Sequence, residues 1–312
     1  MGASVLLGDV GGTNARFAIS KGPGELSDVC SFKAADYPNF DDALLQYLAD
    51  RRGAADLVLE GVCIAAAGPV EAHGEVSLTN SPWQISQAGL RKAADVTSAK
   101  LFNDLEAVAL ALPHLKAADW LSIGNCADPP LAGNLIAINV GTGFGAAISV
   151  KAQDGSDFAL ATEPGHMTFA PLTDLEAQLC ESLTSVEDLL SGQGVVDAYR
   201  RVAEAGAADG PGELTTAAEV FAAIESSPAA ADVFAAFDSL LARVSGDLVL
   251  ATGSWGGCYF CGSVANGWVD NVDAKQFRSV FVDKGKMSTR MKQVPTRIIR
   301  NPQPALLGLS YA

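Results

Sequence analysis

Gly8-Asp9-Val10-Gly11-Gly12-Thr13-Asn14-Ala15-Arg16-Phe17 joins an apolar strand to a glycine turn and then to an alternating second strand. Val5, Leu6 and Leu7 form the buried approach. Gly11 and Gly12 let the backbone come close to an anion, and Thr13 adds a hydroxyl. The stretch reads as a phosphate-binding hairpin, with an ordinary glycine hairpin as the plain alternative. Asp9 faces the same turn with a carboxylate. Two negative groups repel, so a carboxylate beside a phosphate implies a cation between them, and hydrated Mg²⁺ is the natural one.

A second stretch repeats the pattern. Asn139-Val140-Gly141-Thr142-Gly143-Phe144-Gly145 follows the apolar run Leu135-Ile136-Ala137-Ile138. Two such hairpins in one chain resemble the duplicated nucleotide-binding halves of the actin, Hsp70 and sugar kinase superfamily. The expected fold is therefore α/β, a two-domain actin-like ATPase (ribonuclease H-like) fold with an interdomain cleft and one ATP site drawing on both halves. Neither hairpin closes with the Gly-Lys-Ser/Thr of a Walker loop, and the protein-kinase glycine loop is absent.

At 312 residues the chain is long enough for two domains with separate cores. A formal net charge of −15 disfavours a nucleic-acid surface, which needs clustered Lys and Arg. No apolar run approaches the roughly 18 residues of a transmembrane helix, so no membrane partner is expected. Met1-Gly2-Ala3-Ser4 runs straight into the first strand, which leaves no space for a signal peptide and implies a cytoplasmic location. Cys30, Cys63, Cys126, Cys180, Cys258 and Cys261 lie mostly in apolar runs and read as free thiols. Cys258 and Cys261 have the spacing of half a zinc site, but nothing nearby completes four ligands.

The elements alternate. Strands are expected near 5–9, 15–20 and 29–33, then a helix over 40–52 with Phe40, Ala43, Leu44, Tyr47 and Leu48 on one face. A buried strand over 57–67 ends at Gly68-Pro69. A helix near 86–94 leads to a short strand at 100–102, then to Asn103-Asp104 and an apolar helix over 105–112. The domain boundary is placed there: residues 1–104 with about 300–312 form the small domain, and 105–299 the large one. Helices are expected over 186–190, 194–205, 215–226 and 229–252, with a flexible turn over 207–213.

Asp104 can project from a strand-to-helix junction into a site, and it is the candidate general base of a phosphoryl transfer to an alcohol. Its plain alternative is a helix N-cap. Glu163-Pro164-Gly165-His166 places a carboxylate and an imidazole on one turn, as sugar hydroxyls require. That makes His166 a better site candidate than His73 or His114. Glu181 follows a helix, and a solvated helix end is its plain alternative. The glycines between Thr252 and Cys258 allow close approach of a base or ribose.

Taken together, Gly8 through Arg16, Thr79-Asn80-Ser81-Pro82-Trp83, Asn103-Asp104, Gly141 through Gly145, Glu163 through His166, Leu190-Ser191-Gly192 and Asn301-Pro302 resemble the glucokinase family in its own order. The resemblance spans essentially the whole chain. It implies ATP-dependent, Mg²⁺-assisted phosphorylation of glucose at the 6-hydroxyl. Asp104 would be the base, and Asn103, Asp104, Glu163, His166 and Glu181 would bind the sugar. Gly8, Asp9, Val10, Gly11, Gly12 and Thr13 match the first phosphate loop, with Asp9 reaching the metal through water. Gly141, Thr142 and Gly143 match the second loop, and Gly253, Gly256 and Gly257 the adenosine side. A homodimer is also implied.

Three departures from the family stand out. Pro164 replaces a usual glycine and fixes φ of the sugar turn, which bears on hexose preference. The segment before Leu190 is one residue short, so Cys180 competes with Glu181 in register. The final helix is abbreviated. A kinase of another hexose and a non-catalytic sugar-sensing module remain as alternatives. No cysteine-rich zinc motif follows His166, unlike related kinases of the repressor and open-reading-frame kinase family.

Overall fold

The computed structural model describes residues 4–52, 57–78, 81–127, 130–180, 184–206 and 213–312. Thr79 and Asn80, Glu181 and most of the expected 207–213 turn lie outside them. The chain divides into two compact units: 1–115 with 152–161 and 301–312, and 116–151 with 162–300.

The first unit is built on five strands: β1 (Ser4–Val10), β2 (Asn14–Ser20), β3 (Ser27–Lys33), β4 (Leu59–Ala66) and, beyond a small hairpin of β5 (Glu75–Ser77) and β6 (Gln84–Ser86), β7 (Ser98–Asn103). Their order is β3-β2-β1-β4-β7. The β1–β2 and β2–β3 pairs are antiparallel, and β1–β4 and β4–β7 are parallel. Helix α1 (Phe40–Arg52) buries Phe40, Ala43, Leu44, Tyr47 and Leu48 at no more than 1% exposure, the face that its spacing predicts. With α2 (Gln87–Ala94) it closes one face over Leu6, Val10, Phe17, Val62 and Ile64. Both faces of β1 and β4 are covered, so these strands read as continuous apolar runs rather than alternating ones.

Helix α3 (Asp104–Ala111) packs in this first unit against β4 and β7. The chain passes into the second unit only after Leu115.

Within the second unit, β8 (Trp120–Ser122), β9 (Leu135–Val140) and β10 (Phe144–Lys151) precede β11 (Asp157–Thr162), where the chain re-enters this unit. Helices α4 (Asp174–Cys180), α5 (Gly192–Gly206), α6 (Ala217–Ala222) and α7 (Pro228–Thr252) follow, then β12 (Gly257–Cys261), α8 (Ser263–Val269), α9 (Ala274–Val282), α10 (Ser288–Met291) and β13 (Thr296–Ile299). The chain ends in α11 (Pro304–Leu309), which belongs to the first unit. Strands run in the order β10-β9-β12-β13-β8. The β9–β10 pair is antiparallel, and β9–β12 and β12–β13 are parallel.

The order β2-β1-β4-β7 of the first unit thus recurs as β10-β9-β12-β13 in the second, with the same pattern of directions. Each glycine hairpin occupies the same place in its own sheet. This topological repeat is the structural counterpart of the two similar sequence stretches.

Helix α7 shows both of its end signals. Ser227 caps it by accepting from Ala230 N at 3.3 Å, Pro228 stands at the first position, and Gly253 ends it with φ 64°. The expected helix over 186–190 does not form, and those residues run as turns. The Asp188 carboxylate accepts from the backbone N–H groups of Thr184 and Ser185 at 2.9 Å each, an alternative that competes with helical bonding.

Inside the second core, Asp238 of α7 accepts from the Trp268 indole N–H at 2.8 Å. Burial pushes its carboxyl up to about 6, against that hydrogen bond, with Asp273 adding to the rise. A carboxyl raised in the folded state stabilises the fold below its unfolded pKa and loses that contribution as pH rises toward 6. Folding stability from this group is expected to fall by roughly 2–3 kcal/mol between pH 4 and pH 7. Asp238→Asn keeps an acceptor for Trp268 and is expected to flatten that slope. Urea midpoints of both proteins at pH 4.5, 5.5 and 7 check it, and parallel pH profiles would contradict it. Among the described residues no helix is long and apolar enough to cross a membrane.

Candidate active site

In the first unit, Val10 pairs with Ala15 and the turn closes with Gly11 N donating to Asn14 O at 2.9 Å. A Cβ on Gly8 would lie 2.5 Å from Ile64 Cδ1, so Gly8 is a packing glycine as well as the start of the loop. A Cβ on Gly11 would meet only Asn14 O at 3.8 Å, which leaves the turn open to a ligand. Thr13 is exposed. Asp9 accepts from Arg16 Nη1 at 3.3 Å, across the β1–β2 pair. Burial pushes the Asp9 carboxyl up, while the charge and hydrogen bond of Arg16 pull it down. A poorly solvated carboxylate with one long bond is a hard oxygen donor suited to a hydrated divalent cation.

Asn103, not Asp104, is the N-cap of α3. Its Oδ1 accepts from Leu105 N at 2.9 Å and Glu106 N at 3.4 Å, and Glu106 Oε2 returns the bond to Asn103 N at 3.0 Å. Asn103 Nδ2 donates to Gly68 O at 3.2 Å. Asp104 is the first helical residue and half-buried, and its Oδ1 accepts from Leu105 N at 2.9 Å. The capping box thereby fixes the backbone that carries the Asp104 carboxylate.

In the second unit, Glu163 and His166 are exposed at the ends of a 3₁₀ turn, Pro164–His166, whose Pro164 and Gly165 are buried. Glu187, a residue not anticipated from the sequence, holds this turn to the second hairpin. Its Oε2 accepts from Phe144 N at 2.7 Å, and its own N–H donates to Gly165 O at 2.9 Å. A Cβ on Gly143 would lie 2.4 Å from Glu187 Oε2, and one on Gly165 would lie 2.4 Å from Phe144 O. Both glycines are needed for that approach. Asp188, also unanticipated, stands close enough to His166 to feel its charge. Burial raises the Asp188 carboxyl, but the amides of Ser185 and Thr184 outweigh it and the net shift is downward. Glu181 lies outside the described residues.

A cavity of about 360 Å³ opens beside the second hairpin, lined by Gly141, Thr142, Gly192, Thr216, Phe221 and Ser263 among others. Gly192 N donates to Gly141 O at 2.8 Å, which joins the start of α5 to the hairpin. The α6 terminus is a capping box of Thr216 with Glu219. Among the described residues no lysine or arginine lines this cavity. Its walls are the hairpin backbone and the starts of α5 and α6, and the Phe221 ring suits a flat apolar group.

Gly253, Gly256 and Gly257 do not line this cavity. Gly253 caps α7, and a Cβ on Gly256 would lie 2.7 Å from Gly133 O. Gly257 has φ 151°, and a Cβ there would come within 3.0 Å of the Tyr259 ring. Thr216, three residues ahead of Glu219, is the sequence signal that marks the wall of this cavity.

A model of the glucokinase family matches residues 6–312. The chain is 36% identical over 320 residues to a glucokinase of Caulobacter vibrioides (strain NA1000 / CB15N), covering 98% of this chain and 94% of that one. The crystal structure of a glucokinase from an Antarctic psychrotroph superposes with a TM-score of 0.83 at 27% identity, over 100% of this chain and 98% of that one. A ROK family glucokinase from Streptomyces griseus, solved in complex with glucose and AMPPNP, shares the fold with a TM-score of 0.64 at 19% identity, over 99% of this chain and 98% of that one. These neighbours give the two units the actin-like ATPase (ribonuclease H-like) fold. On a family match that runs almost from end to end, the chain belongs to the glucokinase family.

Proposed function

We propose that this protein transfers the γ-phosphoryl group of ATP to the 6-hydroxyl of glucose, giving glucose 6-phosphate and ADP. The observation that carries the reading is the double hold of Glu187, which couples the hairpin at Phe144 to the Glu163–His166 turn. One residue thereby registers a phosphate-binding element against a pair of groups suited to sugar hydroxyls. Phosphoryl transfer depends on such positioning more than on covalent chemistry by the protein.

Asp104 takes the proton of the 6-hydroxyl as that oxygen attacks phosphorus, and the helix start beneath it fixes its direction. The hairpin amides and the start of α5 stabilise charge on the phosphates. Asp9 would hold Mg²⁺ through water, and the ion would supply positive charge to the phosphate oxygens. Asn103, Glu163 and His166 are assigned to sugar hydroxyls, and Glu187, bonded to Phe144 N and Gly165 O beside that turn, is assigned with them as a further carboxylate. A homodimer belongs to the reading by family resemblance.

Glu187→Ala is expected to raise the glucose KM about tenfold or more, because a hydrogen bond to a charged group contributes about 1.5–3 kcal/mol. Glu187→Gln, which keeps an acceptor for Phe144 N, is expected to lose less. Equal KM values in Glu187→Ala and the native enzyme would remove Glu187 from the site.

A coupled ADP-release assay with ATP and Mg²⁺ tests the function across glucose, mannose, fructose, N-acetylglucosamine and no sugar. Release that requires glucose supports the reading. Release on another hexose moves the specificity to the Pro164 turn, and release without sugar contradicts it.

A further inference from the structure

We propose that Gln193 reads the ribose of the bound nucleotide by accepting a hydrogen bond from a ribose hydroxyl at Oε1. The inference rests on the reading of the second-unit cavity as the nucleotide site. Gln193 lines that cavity from the first turn of α5. Its side-chain amide is oriented: Nε2 donates to Asp197 Oδ1 at 2.8 Å, one helical turn along. A carboxylate can only accept, so the nitrogen faces Asp197 and the carbonyl oxygen is turned away from it. Arg200 Nη1 lies 3.4 Å from the same Asp197 oxygen and holds that carboxylate in turn. Asp197 is thus the positioning residue of the pair.

The other polar side chains on the α6 wall are engaged in capping. Thr215 Oγ1 donates to Glu219 Oε2 at 3.0 Å, and Thr216 Oγ1 accepts from Glu219 N at 3.2 Å. Oε1 of Gln193 has no hydrogen-bond partner among the described residues. Its position in the chain selects the part of the ligand that it meets. Gly192, its neighbour, is bonded to Gly141 O of the phosphate hairpin, while Phe221 lies on α6. In a nucleotide the group next to the phosphates is the sugar, and a ribose presents two hydroxyl donors to a lone-pair acceptor.

The test is calorimetric titration of ATP and 2′,3′-dideoxy-ATP into the native protein, Gln193→Ala and Gln193→Met. Met keeps the side-chain length with only a weak acceptor, which guards against a packing effect. The native protein is expected to bind ATP about 2- to 10-fold more tightly than the dideoxy nucleotide, the worth of one neutral hydrogen bond. Both variants are expected to bring that ratio to about one with dideoxy-ATP affinity unchanged. A native ratio retained in either variant, or a native protein that does not discriminate, overturns the inference while leaving the nucleotide site standing. Failure of both nucleotides to bind overturns the site reading and this inference with it.

Discussion

Asp104→Asn is expected to lower kcat by about 10²- to 10⁴-fold while glucose still binds with little change in affinity. The substitution is close to isosteric, and the amide oxygen can still accept from Leu105 N, so the first turn of α3 keeps its geometry. The Asn103–Glu106 capping box is untouched. What disappears is the ability to take a proton from the attacking hydroxyl. A structural role for Asp104 would instead lower stability and sugar affinity together. Comparison of kcat with the glucose dissociation constant separates the two, and a kcat within fivefold of native would reject Asp104 as the base.

The second large effect concerns stability, at the place where α3 is held. Helices α3 and α11 cross so closely that a Cβ on Gly308 would lie 1.8 Å from Ala107 O and 2.9 Å from Ala111 N. Gly308→Ala gains about 1 kcal/mol of helix propensity. The clash is with backbone, which cannot move aside as a side chain can, and overpacking of this kind costs about 3 kcal/mol or more. The clash wins, and the variant is expected to unfold at clearly lower urea than native. Gly22→Ala is the control, because a Cβ there would meet nothing within 4 Å. A Gly308→Ala midpoint equal to that of the control would contradict the packing account. Short as it is, α11 fixes the helix that carries Asp104.

Much of this was legible in the sequence, for identifiable reasons. The two hairpins declare themselves through glycine turns between apolar strands, and α1 through the spacing of its five buried residues. The start of α3 could be located but not its cap, since Asn and Asp are both good N-caps. The partner Glu106, three residues after Asn103, decides between them.

Glu187 was hidden because the apolar residues around it suggest a helix. Its role depends on Phe144, 43 residues away, and on the turn geometry that Asp188 imposes. The glycines at 253, 256 and 257 suggest ligand approach, and in the structure Gly253 also caps a helix while Gly256 and Gly257 also allow close contacts within the protein. A glycine in the sequence does not say whether protein or ligand occupies the space beside it. The cavity beside the second hairpin is assembled from segments of 141–142, 192–193, 215–221 and 263–267, a grouping that only the fold creates.

The measurement that tests the central claim most directly is ³¹P NMR of the protein with ATP, Mg²⁺ and either glucose or 6-deoxyglucose. With glucose, the ATP γ-phosphate signal is expected to convert to that of glucose 6-phosphate, in equal amount with ADP. With 6-deoxyglucose, which lacks the acceptor hydroxyl, no phosphosugar is expected. Inorganic phosphate as the main product, or a phosphosugar from 6-deoxyglucose, would contradict transfer to the 6-hydroxyl.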